Sequence, residues 1–269
     1  DLDAKHQVTV IVTDHKKAPQ QGKNVTVKGD LGQSAAGKTD KNGELTVPAV
    51  EQTERHGVYI VGYTDGTFGP SRSMTRAEAA AIFARLLAEK NGDTISTAAN
   101  TKFADIPAHA WYSGYVKYLS NNGITYGKSK TVFAPNDAIT RAEFTTMAVR
   151  FFDVYGDGDA EIMEQFSGFN DVSSGYWAAE YIKYAALHGW INGYGDGSFH
   201  ADREINRAEV VTIVNRLLGR EADEDYIADN LRKLNTFPDV TKRHWAYYAV
   251  MEAANAHTAV LGESESWSK

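Results

Sequence analysis

Three arginines stand at matched places in the chain: Thr75-Arg76-Ala77-Glu78, Thr140-Arg141-Ala142-Glu143 and Asn206-Arg207-Ala208-Glu209. A guanidinium offers a planar fork of N–H donors that fits a carboxylate or phosphate, so an arginine repeated at a helix start is equipped to hold an anion. The rest of the tetrapeptide is that helix start. Thr75, Thr140 or Asn206 accepts from an orphan N–H of the first turn, and Glu78, Glu143 or Glu209 reaches back to the cap's own N–H. Capping accounts for the threonine and the glutamate. It does not account for the arginine, because a cation in the first turn opposes the helix macrodipole. Two readings stand side by side: the arginine pairs with a nearby carboxylate and locks the loop, or it binds an anion.

Upstream of each arginine lies a turn. Gly62-Tyr63-Thr64-Asp65-Gly66-Thr67-Phe68 and Gly193-Tyr194-Gly195-Asp196-Gly197-Ser198-Phe199 carry Asp-Gly pairs that supply a positive φ and an Asx-type turn, whereas Gly127-Lys128-Ser129-Lys130-Thr131-Val132-Phe133 carries none. Phe68, Phe133 and Phe199 each precede their arginine by eight positions, so the frame persists where the turn has changed. A second signature alternates with the first. Phe103-Ala104-Asp105, Phe169-Asn170-Asp171 and Phe237-Pro238-Asp239 are each followed, eight positions after the phenylalanine, by Trp111, Trp177 or Trp245. Those tryptophans offer either a face for a sugar or a core anchor for the helix that follows. The three aspartates can accept sugar hydroxyls, cap the next segment or pair with the arginines.

Other chemistry is poorly represented. The eight histidines share no position in the repeats and form no H-x-x-x-H pattern, and no G-x-S-x-G is present. A catalytic pair would break the repeat symmetry, and we expect neither catalysis nor a cofactor. Asp153, Asp157, Gly158, Asp159, Glu161 and Glu164 fall on EF-hand-like positions, but Tyr155 occupies a ligand place, so the segment reads first as an acidic loop and second as a calcium site. With no cysteine, disulfides and thiolate metal sites are excluded. A net charge of -7 without a long basic stripe argues against nucleic acid. No apolar run reaches bilayer length, so no membrane insertion is expected; Asp1-Leu2-Asp3 shows no signal pattern, and an exported protein would have lost its signal or carry it upstream.

The elements that position these residues follow from periodicity. Amphipathic helices begin at each arginine, with Ile82/Phe83 and Leu86/Leu87, Met147/Ala148 and Phe151/Phe152, and Ile213/Val214 and Leu217/Leu218 on one face. Shorter helices follow the tryptophans, the first two ended by Gly123 and Gly189; the third has His257 at that offset. Residues 1–56 differ: Val8 to Val12, Val25 to Val27 and Leu45 to Val47 are β-branched runs, with Lys41-Asn42-Gly43-Glu44 as a tight turn. Val50 to Gly57 reads as a polar linker. The arginine and aromatic halves number three each but are shifted by half a unit, which predicts that residues 234–260 pack beside the first arginine helix and close a ring.

Taken together, the alternating F-x-D, tryptophan, G-Y-x-D-G-x-F and T-R-A-E elements resemble the S-layer homology (SLH) domain family over roughly Val58 to Val260. The β-rich start resembles a carboxypeptidase-regulatory or collagen-adhesin B-type module around Thr39 to Gly43. The SLH resemblance implies a mainly α fold, three repeats forming a pseudo-threefold, three-pronged helical body, here preceded by a small all-β module. The expected segments are 1–56 (β-sandwich-like module plus linker), 57–100, 101–166 and 167–233 (the repeats), and 234–269 (closing aromatic half-repeat plus tail). It further implies an extracellular, non-covalent anchor that binds secondary cell-wall polysaccharide between adjacent prongs, a pyruvylated sugar in several characterised members. By position, Arg76, Arg141 and Arg207 then meet the carboxylate, Gly66 and Gly197 with Asp65 and Asp196 form the turn lining the groove, and Trp111, Trp177 and Trp245 are the candidate aromatic faces. The second repeat lacks the turn's Asp-Gly, which leaves its groove without that glycine. The rival expectation is a structural module that self-associates into a surface lattice through tyrosine patches such as Tyr112, Tyr115 and Tyr118 or Tyr247 and Tyr248, and a larger parent polypeptide is a further expected partner.

Overall fold

A computed structural model describes residues 7–28, 34–48, 52–156, 166–261 and 265–268. The chain divides into two compact units, Asp1–His56 with His257–Lys269, and Gly57–Ala256.

The larger unit is helical. Three long helices start at the arginines, α1 (Arg76–Asn91), α3 (Arg141–Tyr155) and α5 (Arg207–Leu218), each with both halves of the capping box in place. Three shorter ones follow the tryptophans, α2 (Ser113–Asn121), α4 (Ala179–Leu187) and α7 (Tyr247–Ala254). Gly123 and Gly189 lie at φ of 75° and 69°, just past the ends of α2 and α4, where a left-handed residue lets the chain leave the helix without a Cβ penalty. A further helix that the periodicity did not mark, α6 (Glu224–Asn230), is capped by Asp223.

A ring of backbone bonds binds the three repeats. Met74 N–H donates to Ile205 O, Ile205 N–H to Ile139 O and Ile139 N–H back to Met74 O, at 2.9, 3.0 and 2.9 Å. Each residue just before a helix cap thus passes one bond to the next in a closed cycle, which is the pseudo-threefold axis expressed in hydrogen bonds. A second threefold set, running in the opposite sense, follows two and three residues on. Arg76, Arg141 and Arg207 donate their backbone N–H to Asp137, Arg203 and Arg72 O, and Ala77, Ala142 and Ala208 to Pro135, Ala201 and Pro70 O. Phe68, Phe133 and Phe199 are fully buried beneath these turns; each contributes roughly 1.5–3 kcal/mol of burial. The rings of Phe83, Phe144 and Phe151 join α1 to α3 at 4.9 to 5.3 Å.

The last half-repeat enters the ring in an unforeseen way. Helix α7 packs on α5, as α2 packs on α1 and α4 on α3, and not beside α1. It meets the first repeat through Ala253 O, which accepts from Tyr59 N–H at 3.3 Å, and through the loop before it: the Phe237 ring meets Phe68 at 5.3 Å, and Asp239 accepts from Phe68 N–H and Gly69 N–H at 2.9 and 2.7 Å. A helix needs its apolar face covered by the arginine helix just before it in the chain; the F-x-D loop reaches the next turn.

The smaller unit is β. Strand β1 (Gln7–Ile11) pairs antiparallel with β4 (Glu44–Pro48), and β2 (Asn24–Lys28) with β3 (Ser34–Lys38). Gly43 turns at φ 73°, with Asp40 Oδ1 accepting from Asn42 and Glu44 N–H. The segment read as a linker is instead largely strand: β5 (Gln52–His56) pairs with β6 (His257–Leu261), which pairs with β7 (Ser266–Ser268). Its partner lies some two hundred positions away, so a polar local pattern concealed it. Residues Ser266–Ser268 near the C-terminus join the same sheet. The calcium-like positions from Asp157 to Glu164 lie outside the described residues.

Candidate functional site

The three arginines are 4% exposed. Arg76, Arg141 and Arg207 each donate Nε–H at 2.8 Å to a carbonyl of a neighbouring repeat: Phe133, Phe199 and Phe68. Their guanidinium carbons lie 5.0, 4.5 and 4.7 Å over those same phenylalanine rings. Arg76 Nη1 sits 3.2 Å from Glu143, and Arg141 Nη1 3.3 Å from Glu209, the capping-box glutamates of the following repeats. Arg207 Nη2 donates to Val61 O at 2.7 Å. Each arginine therefore clasps two repeats. Burial lowers the pKa of Arg141 and Arg207 from the ordinary arginine value, while Tyr194 and Glu209, and Tyr63 and Glu78, act in the opposite direction.

The helix N-termini are closed by the same contacts. The first-turn N–H groups are already used, by the ring of carbonyls and by the capping oxygens of Thr75, Thr140 and Asn206. An anion arriving here meets the outer edge of the guanidinium and not a set of free backbone donors. The cation is tolerated in the first turn because it spans to carbonyls and a carboxylate of the next repeat.

Two cavities adjoin these clasps. One, of about 330 Å³, is lined by Arg141, Gly193, Tyr194, Glu209, Arg216 and Trp245 among others. Its volume lies in the range of small-molecule sites, ~300–1,000 Å³. The other is about 90 Å³, lined by Arg76, Tyr126, Gly127, Glu143, Arg150 and Trp177. The second is narrower where charged side chains are engaged: Lys128 Nζ binds Glu143 at 2.9 Å, and Arg150 is held by Tyr181 Oη at 3.1 Å and lies over the Tyr126 ring.

The tryptophans are not core anchors. Trp111, Trp177 and Trp245 are 55%, 57% and 65% exposed, and Trp177 and Trp245 form walls of the two cavities. Each cavity joins an arginine of one repeat to a tryptophan from the next aromatic half but one. Trp111 stands edge-on to Tyr112 and Tyr115.

The turn residues are placed differently from expectation. Asp65 Oδ1 accepts from Thr67 N–H and hydroxyl, and Asp196 Oδ1 from those of Ser198, bonds that lower both carboxyl pKa values. Gly66 and Gly197 supply the turn's positive φ of 83° and 80°. Neither pair lines the two cavities. The glycine that does is the first of the turn, Gly127 or Gly193. A Cβ there would stand 2.5 Å from the Phe103 or Phe169 ring and 2.5 or 2.6 Å from the Val132 or Ser198 carbonyl, so only glycine fits. The second repeat has this glycine as well. Asp105, Asp171 and Asp239 hold the turn in place, each accepting two backbone N–H bonds from the phenylalanine and the residue after it.

A second row of arginines lies one helical stretch further on. Arg85, Arg150 and Arg216 each lie nine positions after a T-R-A-E arginine, and the spacing was present in the repeats. Arg85 and Arg150 donate to Tyr115 and Tyr181 Oη at 3.4 and 3.3 Å. At the corresponding place the third repeat has Ala249. With the Asn192 amide turned to satisfy its neighbours, Asn192 oxygen accepts from Arg216 Nη1 at 3.3 Å. Arg216 is exposed and lines the larger cavity.

The comparisons address the same segments. A model of the S-layer homology domain matches residues 45–80, 102–145 and 168–211. Among curated proteins, the chain is 34% identical over 218 residues to Cell surface glycoprotein 1 of Acetivibrio thermocellus, covering 78% of this chain and 9% of that protein. It is 30% identical over 233 residues to the Cellulosome-anchoring protein of the same organism, covering 86% of this chain and 49% of that one. It is 33% identical over 159 residues to Exoglucanase XynX of Acetivibrio thermocellus, covering 59% of this chain and 14% of that enzyme. The chain thus spans half or less of the length of these relatives.

Proposed function

Since the chain carries three S-layer homology domains and is a cell-surface protein, we propose that it holds a larger polypeptide to the bacterial wall by non-covalent binding of secondary wall polysaccharide. The binding place is the cavity walled by Arg141, Arg216 and Trp245. The observation that carries this reading is the meeting, in a cavity large enough for a sugar, of two guanidinium groups and an indole that projects into solvent. Glu209 is shared with Arg203 and Arg141, so the lining keeps a positive excess for a carboxylate-bearing sugar such as a pyruvate ketal. The exposed indole face stacks on the sugar ring. No bond is made or broken; catalysis belongs to other parts of relatives that bear enzyme names.

The test is sedimentation of the chain with purified wall sacculi before and after chemical stripping of secondary polysaccharide. Binding lost on stripping is the expected result. Equal binding to stripped walls would refute the glycan reading, and concentration-dependent self-association without wall material would favour the lattice alternative.

A further inference from the structure

We propose that the sheet of β5, β6 and β7 carries a divalent-metal site formed by His56, His257 and Glu265, and that zinc is the cation it fits. His56 closes β5 and His257 opens β6, and the two are direct cross-strand partners. Their side chains therefore leave the same face of the sheet at the same level. Glu265 stands immediately before β7. The polysaccharide reading makes no use of these residues.

Three donor atoms converge. His56 Nδ1 lies 3.2 Å from His257 Nε2 and 3.3 Å from Glu265 Oε1, and His257 Nε2 lies 3.1 Å from the same oxygen. Ligands held about 2.0 Å from one tetrahedral zinc ion stand roughly 3.3 Å apart, which is close to the triangle observed. An ion just off its plane touches all three. Protons satisfy such a triangle poorly, because an N–H directed along one edge is misaligned with the others, whereas a central cation serves all three at once. The donor set of two imidazoles and one carboxylate is among those zinc accepts.

The surroundings are those of a supported site. The His56, His257 and Glu265 side chains are 3%, 2% and 4% exposed. Trp267 lies flat on the His257 ring, with centroids 3.8 Å apart and planes 14° from parallel, and its indole N–H donates to Glu265 Oε1 at 3.0 Å. Glu54 Oε2 lies 3.8 Å from His56 Nε2, on the side of the ring away from the triangle. Groups that orient a ligand from behind in this way are a usual accompaniment of metal sites. A bound ion would join a strand from the start of the chain to two from its end.

The experiment uses the full chain, dialysed against chelator and titrated with zinc chloride, with bound metal counted by mass spectrometry and stability followed by thermal melting. The expected result is one zinc per chain, a melting transition that rises with zinc, and visible bands of a four-coordinate ion when cobalt replaces it. His257→Gln and Glu265→Gln should each weaken zinc binding at least tenfold, and Trp267→Phe should weaken it less while keeping the stacked ring. Because the glutamine variants remove buried groups, their circular dichroism is recorded first; Trp267→Phe and the cobalt spectrum of the unaltered chain read the site without depending on them. Absence of stoichiometric zinc in the unaltered chain, or equal zinc binding in folded glutamine variants, would overturn the assignment.

Discussion

Replacing Asp239 by alanine asks whether the last half-repeat closes the ring. Its carboxylate accepts from Phe68 and Gly69 N–H at 2.9 and 2.7 Å, a bond across 171 and 170 positions of chain. Phe68 is fully buried, so losing the acceptor leaves a backbone donor at the edge of the core. Stranding such a group costs about 1–3 kcal/mol, and because Asp239 itself is exposed we take about 1.5–3 kcal/mol for both bonds together. For a unit of this size that corresponds to a fall of roughly 3–12 °C in melting temperature. Asp105→Ala and Asp171→Ala, which break the same two bonds in the other repeats, are the internal standards. Melting is followed by circular dichroism at 222 nm, a helix signal. If Asp239→Ala left the transition in place while the other two lowered it, the half-repeat would not be a structural member of the ring, and the closure reasoning would fail.

Further outcomes follow from the same contacts. Gly193→Ala should destabilise by about 1–3 kcal/mol, since its Cβ would meet a carbonyl that cannot move aside, and Gly66→Ala should be penalised through its positive φ alone; urea unfolding of both separates the effects. Asp171, Asp239 and Glu143 have carboxyl pKa values below their ordinary ones: burial acts to raise them but is outweighed by backbone N–H bonds and, for Glu143, by Lys128 and Arg76. Their stabilisation is present above the unfolded values near pH 4 and disappears as pH falls through the lower folded values, so melting temperature should drop on acidification below about pH 4. A melting temperature that stays level down to pH 2.5 would contradict this. Trp245→Ala should shift stability by less than about 0.5 kcal/mol, because the indole is mostly in solvent, while reducing binding to wall material.

Helix starts were legible because a capping box is a local device: Thr75, Thr140 and Asn206 need only the glutamate three residues on. The alternation of arginine and aromatic halves, and the incomplete halves at each end, were legible as repetition. Contacts made across the ring were not. Arg76 can be recognised as misplaced in its own helix, but its partners, Phe133 O and Glu143, belong to the next repeat, and no local spacing reveals a carbonyl. The tryptophans lead apolar helices, a place where burial is common, and their exposure depends on how neighbouring repeats stack. Strand β5 failed for a related reason: Gln52–His56 is polar throughout, and a strand of that composition is specified by the register of its partner β6. The row Arg85, Arg150 and Arg216 is visible in the repeat spacing, but arginine on a helix is ordinary and carries no signal by itself.

The most direct test of the account is titration calorimetry of soluble, pyruvylated wall polysaccharide against the full chain, Trp245→Ala, Arg216→Gln and the double variant. Both side chains are exposed, so all four proteins should melt at nearly the same temperature. The account predicts that each single change weakens binding about tenfold, corresponding to about 1.4 kcal/mol, and that the double variant loses it. Unchanged affinity in the double variant would place the polysaccharide elsewhere and contradict the assignment of this cavity as the anchor.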